Sequence, residues 1–592
     1  MANDIARYAV GGNRGSIIKR ESSNKKLIEQ SRIRLYCITA FFLMFFMAIC
    51  CRLVDATVLH HSEQAAQNIP ANPTDEQLLE EAAAPLPLSR NDIVDRNGMV
   101  LATTLATESL FANPQDLHDP HDAAKKIAAV FPDINAKELE KKLSRDESNF
   151  VWIKRNLTPK EQHAANNIGI PGLYFQPEQK RVYPYGNLLS HVIGFVGVDH
   201  KGLGGIEKTF DERLRDTKDN REPLKLSIDL RVQNIVHEEL KHSMEAFNAI
   251  GAAGVVLDIH TGELLALASL PDFDPHQVGT ASENARFNRV SLGSYEMGST
   301  FKTFTTAMAL DYGVVNLNDG YDASHPLEYA HAVIRDDHPQ NRWLTIPEIY
   351  TYSSNIGTAR MALDVGTERQ KAFLRKIGLM DPVKIELPEL GSSHYPSDWH
   401  EISTMTIAYG HGMAVTPLHL IRAFASIVNG GTLEPLTLIE GGNDNKPAGV
   451  RVINEKTSSQ MRRLMRMVVE FGTGKQANVA GYRVGGKTGT AEKVGESGGY
   501  NHHANMALFV STFPVDNPKY VVLVMLDEPK GEKSTYGFAT AGWNAVPTAG
   551  AIIARMAPMF GIPPIFDVVP EDAVNRYWVD NANQKFVHVV SY

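Results

Sequence analysis

The chain has 592 residues but only three cysteines, Cys37, Cys50 and Cys51, so more than 500 residues follow without one. A disulfide framework, a catalytic thiol and a cysteine zinc site are thereby excluded from everything beyond residue 51. Gly410 and Gly412 lie in no G-x-x-x-x-G-K-[ST] phosphate loop and read as tight backbone packing instead. His502-His503 has no accompanying ligand constellation, so it reads as a solvated pair, and neither metal nor cofactor is expected. A net charge of −9 gives no global reason to expect nucleic-acid binding.

Long apolar runs are equally scarce. One matters: Leu35 to Cys51 is 17 residues without a charge, and Leu53 and Val54 extend it past Arg52, whose side chain can snorkel. Residues 1–34 carry eight Arg or Lys against three acidic residues, which places this tail in the cytoplasm and the bulk of the chain outside. The run is long for a signal peptide, and no convincing small-x-small cleavage site follows, so an uncleaved anchor is expected. The acidic, Ala- and Pro-rich stretch ending at Pro85 reads as a stalk.

The length calls for at least two folded domains. The first begins near Leu86, with a turn at Asp95-Arg96-Asn97-Gly98 and short helices over Asp122–Val130 and Asn135–Leu143. Its lack of a paired nucleophile and base reads as scaffold. The second opens after about residue 225 with a helix through Gln233, Val236 and Leu240, then strands over Gly254–Asp258 and Leu264–Ser269. Comparable strands return at Met506–Phe513 and Tyr520–Leu526, while Thr303–Leu310, Glu401–Ala408, Pro417–Val428 and Ser458–Val469 read as helices. The pattern predicts a mixed α/β domain whose first and last segments share a sheet.

Three short patterns lie inside that domain in one order: Ser299-Thr300-Phe301-Lys302, Ser353-Ser354-Asn355 and Lys487-Thr488-Gly489-Thr490. Three residues on a helix put Ser299 and Lys302 on one side, and a serine hydroxyl becomes a nucleophile when a neutral amine takes its proton. Burial and a second cation, for which Lys487 is suited, both favour that neutral form. Ser353 suits a proton relay toward a leaving amine, and Asn355 suits holding a substrate amide and orienting Lys302. Gly489 removes a side chain where substrate would lie, while Thr488, Thr490 and Lys487 offer hydroxyls and charge to a terminal carboxylate. The N–H groups of Ser299 and Thr490 suit an oxyanion hole. Taken singly, each pattern is as easily a helix cap or a turn; Ser22-Ser23-Asn24-Lys25 repeats two of them in the basic tail, and only order and spacing carry the inference. Glu296 reads as a helix-start residue, and His191 and His411 as structural or groove-lining.

On these motifs the chain resembles the class B penicillin-binding proteins, the division-specific peptidoglycan D,D-transpeptidases in particular. Asp95-Arg96-Asn97-Gly98, Arg181-Val182-Tyr183-Pro184, Gly204-Gly205-Ile206-Glu207, Tyr409-Gly410-His411-Gly412 and Val415-Thr416-Pro417 extend the likeness over nearly the whole chain. Asn91, where glycine is common, and Met297, where proline is frequent, depart from the pattern without removing a reacting group. The resemblance implies an α/β transpeptidase domain with a central antiparallel sheet and a helical subdomain. An elongated α+β pedestal and one N-terminal transmembrane helix would precede it. The expected division is 1–34 cytoplasmic tail, 35–54 transmembrane helix, 55–85 periplasmic stalk, 86–224 pedestal, 225–565 penicillin-binding domain and 566–592 extension.

It further implies catalytic roles for Ser299, Lys302, Ser353 and Asn355, and substrate binding by Lys487, Thr488, Gly489 and Thr490. The substrates would be peptidoglycan stem peptides, crosslinked through a serine acyl-enzyme at the division septum, with meso-diaminopimelate as the acceptor. β-Lactams would acylate the same serine, and the septal glycan polymerase FtsW and other division proteins would be partners at the inner membrane. Three other readings share the motifs. A class A β-lactamase would lack the pedestal and needs a deacylating glutamate; an elongation-type transpeptidase differs in its place of action; a β-lactam sensor or division scaffold would not crosslink.

Overall fold

The computed structural model describes residues 42–44, 46–47 and 90–566, apart from 146–148, 217–221, 330–331, 444–448 and 495–498. The basic tail, the stalk and the extension beyond Phe566, where the sequence Phe586–Val590 reads as a further strand, lie outside the described residues. So does the anchor expected over 35–54, except for residues 42–44 and 46–47, which are helical. Among the described residues no helix is long and apolar enough to cross a membrane.

Two five-stranded sheets organise the chain from residue 90 onward. The first comprises β1 (Ile93–Val94), β2 (Val100–Ala112), β3 (Val151–Leu157), β4 (Leu173–Val182) and β5 (Leu224–Lys225). The long β2 is its spine, with β3 and β4 antiparallel on its two edges and β1 antiparallel at its start; β5 joins parallel to β1. The Asp95–Gly98 turn enters β2 as expected: the Asp95 carboxylate accepts from the N–H groups of Asn97 and Met99, both at 2.8 Å, and Gly98 takes φ +84°. Helices α1 (Pro120–Val130) and α2 (Ala136–Leu143) cover one face of the sheet, burying Ile127, Leu139 and Leu143 on Leu110 and Ala112. Helix α1 starts two residues before the expected Asp122, because Asp119 caps it and Pro120 fits the first turn.

At the inner end of this sheet the Arg181 and Glu207 motifs meet. The fully buried Glu207 carboxylate accepts from Arg90 Nε at 2.8 Å and Arg181 Nε at 2.7 Å, and Arg90 also reaches Asp211. Asn91, a departure from the family pattern, is satisfied here: its N–H bonds the Leu214 carbonyl at 2.7 Å and its own carbonyl accepts from Arg181.

The second sheet runs in the order β8-β9-β10-β6-β7, all antiparallel, where β6 is Gly251–Asp258, β7 Leu264–Leu270, β8 Gly485–Val494, β9 Tyr500–Phe513 and β10 Tyr520–Asp527. Pairing of β10 with β6, from Tyr520↔Asp258 to Asp527↔Gly251, joins the two ends of the domain as the sequence predicts. Both faces are buried with period two. Val255, Val510 and Leu523 face helices α4 (Lys302–Asp311), α5 (Asn355–Val365), α6 (Pro417–Val428) and α7 (Glu455–Glu470); Val256, Phe509 and Val522 face α3 (Leu230–Ala246) and α8 (Ala545–Met559). Each such fully buried Val or Leu contributes about 1.5–3 kcal/mol. One apolar cluster continues from Ile93 and Leu101 of the first sheet through Val192 to Met297 and Phe304, so the pedestal's inner end and the catalytic domain share a core.

Candidate active site

Three glycines let two backbone segments, at Gly410 and Gly489, close on the turn that carries Ser299. The turn, Gly298–Phe301, is a single 3-10 turn leading into α4. Gly298 takes φ +49°, and a Cβ there would lie 2.6 Å from the Thr490 carbonyl oxygen. A Cβ on Gly489 would meet the Met297 oxygen at 2.5 Å, and one on Gly410 the Gly298 oxygen at 1.9 Å. The sequence reading reserves the space at Gly489 for substrate; the Met297 carbonyl fills it, so this glycine seats β8 against the serine turn. Gly298, Thr300 and Phe301 are buried, whereas Ser299 is only partly so.

Lys302 opens α4 one turn later and is 1% exposed. Its Nζ donates to Ser353 Oγ at 3.0 Å and also to the Ser353 carbonyl. Ser353 is held at φ +60°, a sparsely populated conformation for a residue with a side chain. From the opposite side Lys487 Nζ, fully buried on β8, donates to the same Ser353 Oγ at 3.0 Å and to the Thr488 carbonyl at 3.2 Å. One hydroxyl thus stands between two amines.

Burial brings the Lys302 amine down to about 7, with Asp337 and Asp336 opposing the shift. Lys487 is held well below the usual lysine range, first by burial and then by the charge of Lys302. Because two ammonium groups so close repel each other, one proton shared by the pair is favoured over two.

Asn355 departs from its expected surroundings. It begins α5, and its Nδ2 donates to the Arg335 carbonyl at 2.8 Å, while Lys302 is oriented by Ser353. Ser354 caps α5, accepting from the Gly357 N–H at 3.0 Å and donating to Asp336 at 2.7 Å. Asp336 also accepts from the Ile356 N–H at 2.9 Å, so it ties the Ser-Ser-Asn segment to the chain 18 residues earlier. Thr488 shares a 2.6 Å hydrogen bond with Thr473, and Thr490 Oγ1 accepts from the Ala541 N–H at 3.3 Å. Asp336 and Thr473 carry no motif and escape sequence reading; the adjacent acids Asp336-Asp337 and the flanking Gly472 and Gly474 are their only signals.

Glu296 sits in a two-residue strand rather than at a helix start, and its carboxylate accepts from the Gly412 N–H at 2.8 Å and the Tyr500 hydroxyl at 3.1 Å. His411 packs against Tyr500 beside it, and the buried His191, brought down to about 4 by burial, is structural. Among the described residues no group of three or more His, Cys, Asp or Glu side chains is arranged to hold a metal ion.

Comparison with known proteins agrees with this geometry. Residues 252–546 match the penicillin binding protein transpeptidase domain, and residues 85–228 the penicillin-binding protein dimerisation domain. The chain is 40% identical over 483 residues to the probable peptidoglycan D,D-transpeptidase FtsI of Caulobacter vibrioides, covering 80% of this chain and 82% of that protein. It is 34% identical to the probable peptidoglycan D,D-transpeptidase PenA of Neisseria gonorrhoeae, covering 81% of this chain and 86% of that one. In fold it is similar to penicillin-binding protein 3 of Mycobacterium tuberculosis crystallised with ampicillin, with a TM-score of 0.65 at 24% identity over 82% of this chain and 98% of the other. The chain belongs to the class B penicillin-binding proteins, the peptidoglycan D,D-transpeptidases. Its activity is that of a serine-type D,D-transpeptidase of cell-wall synthesis.

Proposed function

We propose that the chain crosslinks septal peptidoglycan through an acyl-enzyme on Ser299. The observation that carries this reading is the buried Lys302 amine, brought down to about 7 and placed one helical turn after the partly exposed serine. Neutral Lys302 takes the Ser299 proton as Oγ attacks the carbonyl between the last two D-alanines of a stem peptide. The N–H groups of Ser299 and Thr490 receive the oxyanion. The C–N bond breaks, D-alanine leaves as an amine protonated through Ser353, and the remaining peptide stays as an ester. An amine of a neighbouring stem then attacks that ester, its proton returns through Lys302, and Ser299 is restored. Lys487, Thr488 and Thr490 hold the donor's terminal carboxylate, with Gly489 seating their strand, and Asn355 holds the peptide amide. β-Lactams stop at the ester stage because their ring carbonyl imitates the donor.

Septal action is supported by the similarity to an FtsI. The anchor expected over 35–54 supports an inner-membrane, periplasm-facing enzyme working beside the polymerase FtsW. Ser299→Ala should abolish labelling by a fluorescent penicillin and leave the thermal midpoint nearly unchanged, with peptide mapping placing the wild-type adduct on Ser299. Labelling that persists at another residue would sink the assignment. Depletion should give filaments; rounded cells would assign elongation instead, and full rescue of septation by Ser299→Ala would make the role that of a scaffold.

A further inference from the structure

The face of the pedestal sheet that α1 and α2 leave open carries aromatic rings where an open face calls for polar residues. Trp152 of β3, Phe111 of β2 and Tyr174 of β4 are register partners in one cross-strand row. Phe150 stacks on Phe111 at 4.6 Å and meets Trp152 edge-on at 4.7 Å. These rings are no part of the core: Phe150 is 41%, Trp152 38% and Tyr174 43% exposed. Along the same face the rings give way to polar groups. The Arg155 guanidinium lies over the Trp152 ring at 5.3 Å and donates through Nε to Glu178 at 3.2 Å, and the Thr107 hydroxyl donates to Asn156 at 3.0 Å. Arg155, Asn156 and Glu178 border a cavity of about 190 Å³ at the inner end of the sheet, completed by Lys180, Arg181 and His200. Arg181 is 5% exposed, and its Nη2 has no hydrogen-bond partner among the described residues. Of the Arg and Lys side chains lining the cavity, Arg155 is paired with Glu178 and Arg181 with Glu207, which leaves Lys180 as the cation without an ion pair among the described residues. From the row of Phe111 to that of Leu105, beside Lys180, the face runs for about 20 Å.

We propose that this face and its cavity bind a peptidoglycan glycan strand, with the aromatic row stacking on sugar rings and the cavity taking a carboxylate that hangs from the strand. Sugar rings present apolar C–H faces and polar rims, matching rings bracketed by fixed guanidinium, amide and carboxylate groups. The site rests on the reading that the chain works on peptidoglycan, and would hold the polymer whose stem peptides reach the catalytic domain. Two carboxylates fit: the lactyl group of a strand stripped of its stems, or a stem-peptide carboxylate.

The test uses the full-length chain in detergent, titrated calorimetrically with soluble glycan chains stripped by an amidase and with uncrosslinked stem-bearing chains. Trp152→Ala and Lys180→Glu should each weaken binding about fivefold to tenfold, while fluorescent-penicillin acylation of both variants stays at wild-type rate. Tighter binding of stripped chains assigns the lactyl carboxylate, and tighter binding of stem-bearing chains assigns the stem; either supports the site. Absence of wild-type binding, or unchanged binding in both variants, overturns it. So does a Trp152→Ala division defect in cells when the wild type binds no glycan, since that outcome gives the face to a protein partner. Acylation is read on the same samples, so failure of the glycan site leaves the catalytic reading standing.

Discussion

Two buried charged clusters in this chain are built in opposite ways. In the pedestal, Arg90 and Arg181 are matched by Glu207 and Asp211, and the central carboxylate accepts from both guanidinium groups. Near Ser299, two lysines are buried just as fully but share a neutral hydroxyl, and Asp336 and Asp337 act on Lys302 only through space. Desolvation is severe in both places. Pairing offsets it in the pedestal and keeps the charges; without pairing, the amines give up protons. A scaffold needs the first outcome and a general base needs the second, so the same physics separates the two regions by function.

The comparison is broken most sharply by removing the unpaired amine. Lys302→Met should cut the rate of β-lactam acylation by about 10²–10⁴, the range of a lost general base. It should also raise the thermal midpoint near neutral pH. With the folded pKa at about 7 and the ordinary lysine value of 10.5 in the unfolded chain, the unfolded chain holds a proton between these values that the folded chain lacks. Stability is therefore lowest at and below pH 7 and recovers as pH rises toward 10.5, so the gain from Lys302→Met should be largest at the acid end of that window. A variant that is both inactive and destabilised at pH 7 would show the amine to be structural.

Glu207→Gln is the opposite experiment. Two guanidinium groups would lose their shared carboxylate, a cost of about 3–5 kcal/mol for a broken buried pair. Thermal unfolding should report that loss, while the fraction still folded at low temperature acylates at wild-type rate. An acylation defect without destabilisation would mean that the cluster communicates with the serine site.

How much of this contrast is readable in the sequence differs by region. Strands at both ends of the second domain announce themselves as β-branched runs, and Lys302, Ser353 and Lys487 are flagged by order and spacing. What the patterns lack is the third dimension. Neither lysine's motif says that Ser353 Oγ stands between them, because that depends on a pairing of β8 with β9 and on the φ +60° backbone at Ser353. Asp336 and Thr473 are single residues whose roles exist only once distant segments meet. Gly489 shows a subtler limit: the glycine is visible, but its physical reason is the Met297 carbonyl rather than a substrate. The aromatic row of the pedestal sheet is invisible for the same cause, since Phe111, Trp152 and Tyr174 become neighbours only through strand register.

Acidity sharpens the comparison further. Below pH 7 the rate of penicillin acylation should rise about tenfold per unit as Lys302 loses its proton, then level. On the alkaline side it should fall again once Lys487, itself held below the usual lysine range, is no longer charged. The profile is thus a bell narrower than an ordinary lysine pair would give. A flat profile between about pH 5.5 and 8 would remove Lys302 from proton transfer.

The smallest expected effect comes from the carboxylate that reaches the lysines only through space. Asp337 favours the charged form of both Lys302 and Lys487. It is exposed, so its influence belongs to the range of about 0.2–1 kcal/mol seen for exposed charge pairs. Asp337→Asn should let both amines lose protons more readily and slide the bell toward acid, raising acylation at pH 6 by up to about fivefold. Because the interaction crosses solvent, the gain should shrink as salt is raised. Asp336→Asn separates charge from anchoring, since Asp336 holds the Ser354 hydroxyl and the Ile356 N–H directly. That variant should lower acylation at every pH and respond little to salt. If the two substitutions instead gave the same salt-sensitive shift, the loop would act on the lysines by charge alone, and its hydrogen bonds to the Ser-Ser-Asn segment would have no part in placing Ser353.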